Sequence, residues 1–140
     1  QAPEQEANKL YDLGMNLGMA FQLQDDMLDT YGDPKSFGKK IGGDIMAGKK
    51  TYLLIHVLKH SGPDDRKHLI SWIENKQCTR EEKLTAVKKI FDQYNALEKT
   101  KLLIDHYFDQ AANLMQALTV DNARKTPLLE FYEKLKNRGR

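Results

Sequence analysis

FQLQDDMLDTYGD, residues 21 to 33, closes an apolar stretch with Asp25, Asp26 and Asp29 and then breaks at Gly32. Upstream of it the chain is apolar nearly all the way round: Leu13, Leu17, Phe21 and Leu28 fall on one side of a helical wheel, and Met15, Met19, Leu23 and Met27 on another. The pattern predicts a helix from about Pro3, a good first-turn residue, to about Tyr31, where Gly32 and the Asp33-Pro34 pair stop it. A helix that is apolar on both sides belongs in the middle of a bundle.

The rest of the chain reads as helices too. Only four prolines and nine glycines occur in 140 residues, and the glycines crowd between Gly14 and Gly48, so strong breakers are scarce beyond that point. Residues 32 to 48 are loop-like, with Phe37, Ile41 and Ile45 placed to tack the loop down. TYLLIHVLKH (51 to 60) predicts a second helix that stops at Ser61-Gly62-Pro63, and RKHLISWIEN (66 to 75) predicts a short third one. Thr79 and Glu82 have the spacing of a capping box, which opens a helix through about Tyr94. Leu97, Leu102, Leu103, Tyr107, Leu114 and Leu118 recur at helical spacing from about Ala96 to Leu118. Thr126-Pro127 is expected as N-cap and first-turn proline of a last helix, LLEFYEKLKNR. No stretch alternates like a strand and no repeat is visible, so the fold class is an all-α helical bundle.

Composition narrows the function classes. The length is that of one domain. A formal net charge of +2 gives no global argument for nucleic acid or for an acidic membrane surface. The single Cys78 allows neither an intrachain disulfide nor a cysteine zinc cluster, which fits a reducing, cytoplasmic setting and a small buried or half-buried hydrophobe. No apolar run reaches the roughly 20 residues of a membrane span, and QAPEQEANK is too polar for a signal peptide.

The aspartates carry the chemistry. Residues four apart share a helix face, so Asp25 and Asp29 stack one turn apart, Asp26 lies three before Asp29, and Gly18 and Gln22 fall in line with them. Like charges at that spacing repel, and a helix C-terminus disfavours anions further. Two readings answer the imbalance. Either the cluster is a solvated helix end paired with Lys39, Lys40, Lys49 and Lys50, or it binds a hard divalent cation such as magnesium, which takes one or two carboxylates and keeps places for water and phosphate oxygens. The segment that follows, GKKIGGDIMAGKKT (38 to 51), repeats a glycine-lysine step around Asp44. Glycine permits close backbone approach and lysine is a mobile point charge suited to phosphate. A P-loop is excluded by its spacing and by the absence of a preceding strand.

FQLQDDMLDTYGD followed by FGKKIGGDIMAGKKTY resembles the second aspartate-rich motif and downstream loop of the trans-isoprenyl diphosphate synthases, the farnesyl and geranylgeranyl diphosphate synthase family of polyprenyl synthetases. The match covers about residues 14 to 55. The resemblance implies the C-terminal portion of an isoprenoid synthase-type bundle over residues 1 to 140. It also implies a dimeric, magnesium-dependent prenyltransferase that condenses an allylic diphosphate with isopentenyl diphosphate. By the same likeness Asp25, Asp26 and Asp29 match the metal ligands, Gln22, Lys39 and Lys49 match positions that contact the allylic diphosphate, and Asp25 and Lys39 stand as the catalytic pair. The family's first aspartate-rich motif and the arginines after it are not in this sequence: Asp64 and Asp65 in DDRKH follow Gly62-Pro63 in an expected turn and lack a third acid. A truncated, non-turning-over piece of a synthase is therefore expected, with product chain length unreadable. A non-catalytic helical interaction subunit is the alternative class, and a terpene cyclase is disfavoured by the glycine-lysine loop.

The remaining candidates read as structural. His56 and His60 have ligand-pair spacing but no glutamate follows His56, and Trp72, Phe91, Tyr94, Tyr107, Phe108, Phe131 and Tyr132 are spaced like packing residues. Arg138 and Arg140 in the basic tail KLKNRGR read as a solvated end, the alternative by the family likeness being a fold over the pocket onto a diphosphate.

Overall fold

The computed structural model describes residues 3–33 and 40–138. Within them the chain forms α1 (Glu4–Tyr31), α2 (Gly43–Met46), α3 (Tyr52–His60), α4 (Pro63–Glu74), α5 (Arg80–Gln93), α6 (Ala96–Gln116) and α7 (Asn122–Lys136), with no strand among the described residues. The all-α class is as the sequence predicts. Contacts divide the chain into two compact units, one of Gln1–Gln24 with Leu102–Arg140 and one of Asp25–Lys101.

In the first unit α1 buries Leu13, Leu17, Ala20 and Leu23, while α6 and α7 bury Ile104, Phe108, Ala111, Met115 and Tyr132. Phe108 and Tyr132 meet edge to face, with ring centres 5.6 Å apart. The C-terminus of α6 is held by α1. Lys9 Nζ donates to Ala117 O at 2.8 Å and to Glu6 Oε1 at 2.7 Å, and the Thr119 amide donates to Glu6 Oε2 at 2.9 Å. A cation thus meets the negative end of α6, and the buried Glu6 carboxylate has its partners. The Lys9 ammonium, followed by the Thr119 amide, holds the Glu6 carboxyl below the usual range.

Burial all round α1 is not what the fold delivers. Met15, Met19 and Phe21 are exposed, because α1 buries only its Leu13, Leu17 and Ala20 side within this unit. Phe131, expected as a packing residue, is exposed as well.

The second unit has a core of Ile45, Leu53, Leu54, Val57, Leu69, Val87, Ile90, Phe91 and Ala96, with Tyr31, Trp72, Leu84 and Tyr94 packed on it. Caps fix the helix starts. Thr51 accepts from the Leu54 amide at 3.3 Å, and the Thr79–Glu82 capping box forms in full, with the Thr79 amide donating to Glu82 Oε2 at 2.8 Å and the Glu82 amide to Thr79 Oγ1 at 3.2 Å. Asn95, at φ 51°, turns the chain between α5 and α6. The buried Lys83 donates to Ile73 O at 2.9 Å and so satisfies a carbonyl in the last turn of α4.

Three boundaries differ from expectation. α4 starts at Pro63, so Asp64 and Asp65 lie in its first turn, where carboxylates suit the positive end of the helix dipole. Residues 43 to 46 make the short helix α2 inside the expected loop, and Ile45 anchors it in the core. α7 starts at Asn122 with Asp121 as N-cap. Pro127 sits inside it, and Thr126 Oγ1 donates to Asn122 O at 3.1 Å instead of capping. Lacking an amide hydrogen, Pro127 forgoes one ladder bond, and the helix runs on through it.

Leu53→Ala should destabilise by roughly 2–5 kcal/mol and Thr79→Ala by about 1 kcal/mol, with Thr79→Ser close to wild type; urea unfolding followed by circular dichroism measures all three.

Candidate functional site

The last turn of α1 and the segment 40 to 51 meet inside the second unit. Asp29 accepts twice there: its backbone carbonyl takes the Gly42 amide at 2.6 Å, and its Oδ2 takes the Asp44 amide at 2.8 Å. The carboxylate thereby satisfies an orphan amide in the first turn of α2. Two glycines make the approach possible. Gly42 has φ 82°, a left-handed conformation, and a Cβ there would lie 3.1 Å from Leu84 Cδ1. At Gly43 a Cβ would stand 3.2 Å from Asp29 Oδ1, crowding the carboxylate that holds α2.

Asp26 is buried at 6% exposure, and its charge is met by a lysine. Lys49 Nζ donates to Asp26 Oδ1 at 2.8 Å and to Asp44 Oδ2 at 2.9 Å, so one ammonium bridges α1 and α2. The two carboxylates, Asp26 foremost, raise the Lys49 amine well above the ordinary lysine range, and it is fully charged at neutral pH. The Lys49 side chain itself is half-exposed, at 42%. Tyr31 completes the fixing of α1: its hydroxyl donates to Asp92 Oδ1 at 2.7 Å, and Lys88 Nζ lies 4.7 Å from its ring centre. Burial first, then Asp92, pushes the Tyr31 hydroxyl far up, so it stays a donor.

Of the residues singled out from sequence, Asp26, Asp29 and Lys49 are tied into this site, and Asp25 is half-buried on the same helix end. Gln22 is exposed on α1 in the first unit. Lys39 lies outside the described residues, as does Phe37. Asp44 is a site residue that the sequence reading named without a role. Its signal was the position between two glycine-lysine steps.

The three α1 aspartates, expected within a few ångströms of one another, have separate partners where these are seen. Among the described residues no three His, Cys, Asp or Glu side chains form a group able to hold a metal ion. Asp26 turns to Lys49 and Asp29 to the Asp44 amide. The donors are nonetheless hard carboxylate oxygens of the kind magnesium takes one or two at a time, the rest of its shell being water and phosphate oxygens. They fit a metal shared with a phosphorylated ligand better than a closed protein cage.

The histidines bond to backbone. His56 Nε2 lies 3.1 Å from Tyr94 O, and His60 Nδ1 lies 2.7 Å from His56 O. Cys78 is free and half-buried.

By itself, the first unit carries an apolar groove of about 530 Å³ lined by Gly14, Leu17, Gly18, Phe21, Leu128 and Phe131 among others. Arg138 stacks over Phe21 at 4.6 Å from the ring centre. The groove was not legible from helical periodicity, which marked Phe131 for packing. A Cβ at Gly14 or Gly18 would meet nothing within 4 Å.

The sequence model of the polyprenyl synthetase family matches residues 1–91. The chain belongs to the polyprenyl synthetase family. It is 34% identical over 131 residues to a geranylgeranyl diphosphate synthase of Saccharolobus solfataricus, covering 94% of this chain and 39% of that protein. Over 85 residues it is 41% identical to a short chain isoprenyl diphosphate synthase of Methanocaldococcus jannaschii, covering 61% of this chain and 26% of the relative. A crystal structure of a geranylgeranyl pyrophosphate synthase superposes with a TM-score of 0.84 at 35% identity, covering 99% of this chain and 43% of the other. A polyprenyl synthetase from Streptomyces coelicolor A3(2), at 22% identity and the same TM-score of 0.84, shares the fold. This polyprenyl synthetase chain thus spans well under half the length of those relatives. No described helix is long and apolar enough to cross a membrane.

Two outcomes test the site's construction. Asp29→Ala should speed hydrogen exchange of the Asp44 amide by about tenfold, the equivalent of one lost bond to a charged group, whereas Asp29→Asn, which keeps an acceptor, should change it less. Gly14→Ala and Gly18→Ala should each stabilise this chain by about 0.5–1 kcal/mol through helix propensity, since both added methyls point into open space; thermal melts read the sign.

Proposed function

We propose that this chain supplies the C-terminal half of a trans-prenyltransferase that condenses an allylic diphosphate with isopentenyl diphosphate, working in the cytoplasm as a homodimer when complete. The observation that carries the reading is the bridge from Lys49 to Asp26 and Asp44, a half-exposed ammonium beside hard carboxylates at the end of α1. Family membership supports it.

In the reaction the allylic C–O bond breaks with its electron pair on the leaving diphosphate, the double bond of isopentenyl diphosphate attacks the allylic carbon, and a proton is lost. Magnesium, when bound, supplies electrostatic stabilisation to the departing diphosphate oxygens. Asp25 would hold it, with Asp26 and Asp29 completing the acidic end. Lys49 and Lys39 neutralise diphosphate oxygens as charge builds on them, and Gln22 donates from its amide. Without the family's first aspartate-rich motif the isolated chain binds but does not turn over.

Magnesium together with pyrophosphate or a bisphosphonate should raise the melting temperature, by about 2.7 kcal/mol of added stability at a hundredfold excess over Kd. Asp25→Ala and Lys39→Ala should each abolish the rise. A folded chain whose melting curve ignores these ligands would contradict the proposal and favour a non-catalytic interaction subunit.

A further inference from the structure

We infer that the cavity between α6 and α7 is a binding site for a small amphiphilic carboxylate, its anionic head met by the Lys125 ammonium and the Tyr132 hydroxyl and its apolar body by Ala112, Met115 and Leu129. The site lies wholly within the first unit and uses none of the residues assigned to the diphosphate, so it does not depend on the function proposed above.

The cavity holds about 400 Å³, within the range of small-molecule sites. Helical spacing builds it: Lys125, Leu129, Tyr132 and Lys136 stand at i, i+4, i+7 and i+11 on one face of α7, and Ala112 and Met115 at i and i+3 on α6. Its floor is dry. Met115 is 3% exposed and Tyr132 6%, and the Tyr132 ring is pinned edge to face on Phe108. Leu129, at 46% exposure, is the part of the wall that a ligand would cover.

Polar groups decide the ligand. Lys136 Nζ donates to the Tyr132 hydroxyl oxygen at 3.1 Å and lies 5.4 Å from its ring centre. That oxygen acts as acceptor, so the hydroxyl hydrogen is still free, and no acceptor for it is present among the described residues. A donor on a side chain more than nine-tenths buried calls for a partner. Lys136 is already provided for: the Tyr132 hydroxyl, and after it the carboxylates of Asp109 and Glu133, raise its amine above the ordinary lysine range. Glu133 in turn accepts from Asn137 Nδ2 at 3.4 Å. Lys125 is the cation left over. It is half-buried and has no side-chain hydrogen bond or ion pair among the described residues.

One unmatched ammonium and one unmatched O–H donor above an apolar floor select a head that only accepts and carries a single negative charge. Two lysines repel a cationic ligand, and a diphosphate head brings more charge than one ammonium meets. A mere seam between helices, with its lysines solvated at the rim, makes a different prediction, because apolar filling alone does not read charge.

Octanoate is the probe, with octanol as its uncharged counterpart and inorganic phosphate as an anion without an apolar body. Methyl NMR of Ala112 and Met115 in the 140-residue chain follows each titration. The expected result is that both methyls shift with octanoate, that octanoate binds about threefold or more tighter than octanol, and that phosphate shifts neither. Lys125→Gln should weaken octanoate about threefold with octanol unchanged, and Tyr132→Phe should weaken octanoate about fivefold. Methyls that ignore millimolar octanoate, or octanol bound as tightly as octanoate, would overturn the inference, and both are read on the wild type. Unchanged octanoate affinity in Lys125→Gln with a wild-type circular dichroism spectrum would overturn it as well.

Discussion

Three carboxylates in the last two turns of one helix are an electrostatic liability, and the second unit is arranged around relieving it. The relief is local. Lys49 takes Asp26 and Asp44 on one ammonium, and the Asp44 amide takes Asp29. Each partner is contributed by the segment 40 to 51, so neutralising α1 and folding that segment are the same event. These bonds help to hold α2, a four-residue helix far too short to persist unaided. Ile45 then ties it to the apolar core, and Tyr31 ties the end of α1 to α5.

The glycines follow from this constraint. A short polar segment that must lay two amides against one aspartate cannot afford a left-handed φ at a branched residue or a methyl beside a carboxylate, and Gly42 and Gly43 occupy those two positions. Lysine at 49 follows as well: its long stem reaches both carboxylates while leaving the charge partly in water. The same properties make it suited to a diphosphate.

Much of this was legible in the residues. Caps are local chemistry, so the Thr79–Glu82 box located its helix closely. The aspartates and Lys49 were legible because charge at helical spacing and a glycine-lysine step have few meanings together, and the family likeness they carried agrees with the relatives found. What escaped depended on tertiary context. Pro63 after Gly62 starts a helix, whereas Pro127 after Thr126 lies within one that already begins at Asn122. Periodicity predicts which residues share a face but not whether that face is covered, so Met15, Met19 and Phe131 were assigned to packing and are exposed. Helical spacing likewise put three carboxylates together without showing that two of them turn to other partners.

The central claim is that the acidic end of α1 and Lys49 form one ligand site for a metal and a diphosphate. The most direct measurement is a crystal structure of the chain grown with manganese, as a magnesium substitute with an anomalous signal, and pyrophosphate. The account predicts an anomalous peak bonded to Asp25 and the Lys49 amine turned from Asp26 onto a phosphate oxygen. Manganese and pyrophosphate absent from that end of α1, with Lys49 still bridging Asp26 and Asp44 at saturating ligand, would contradict it.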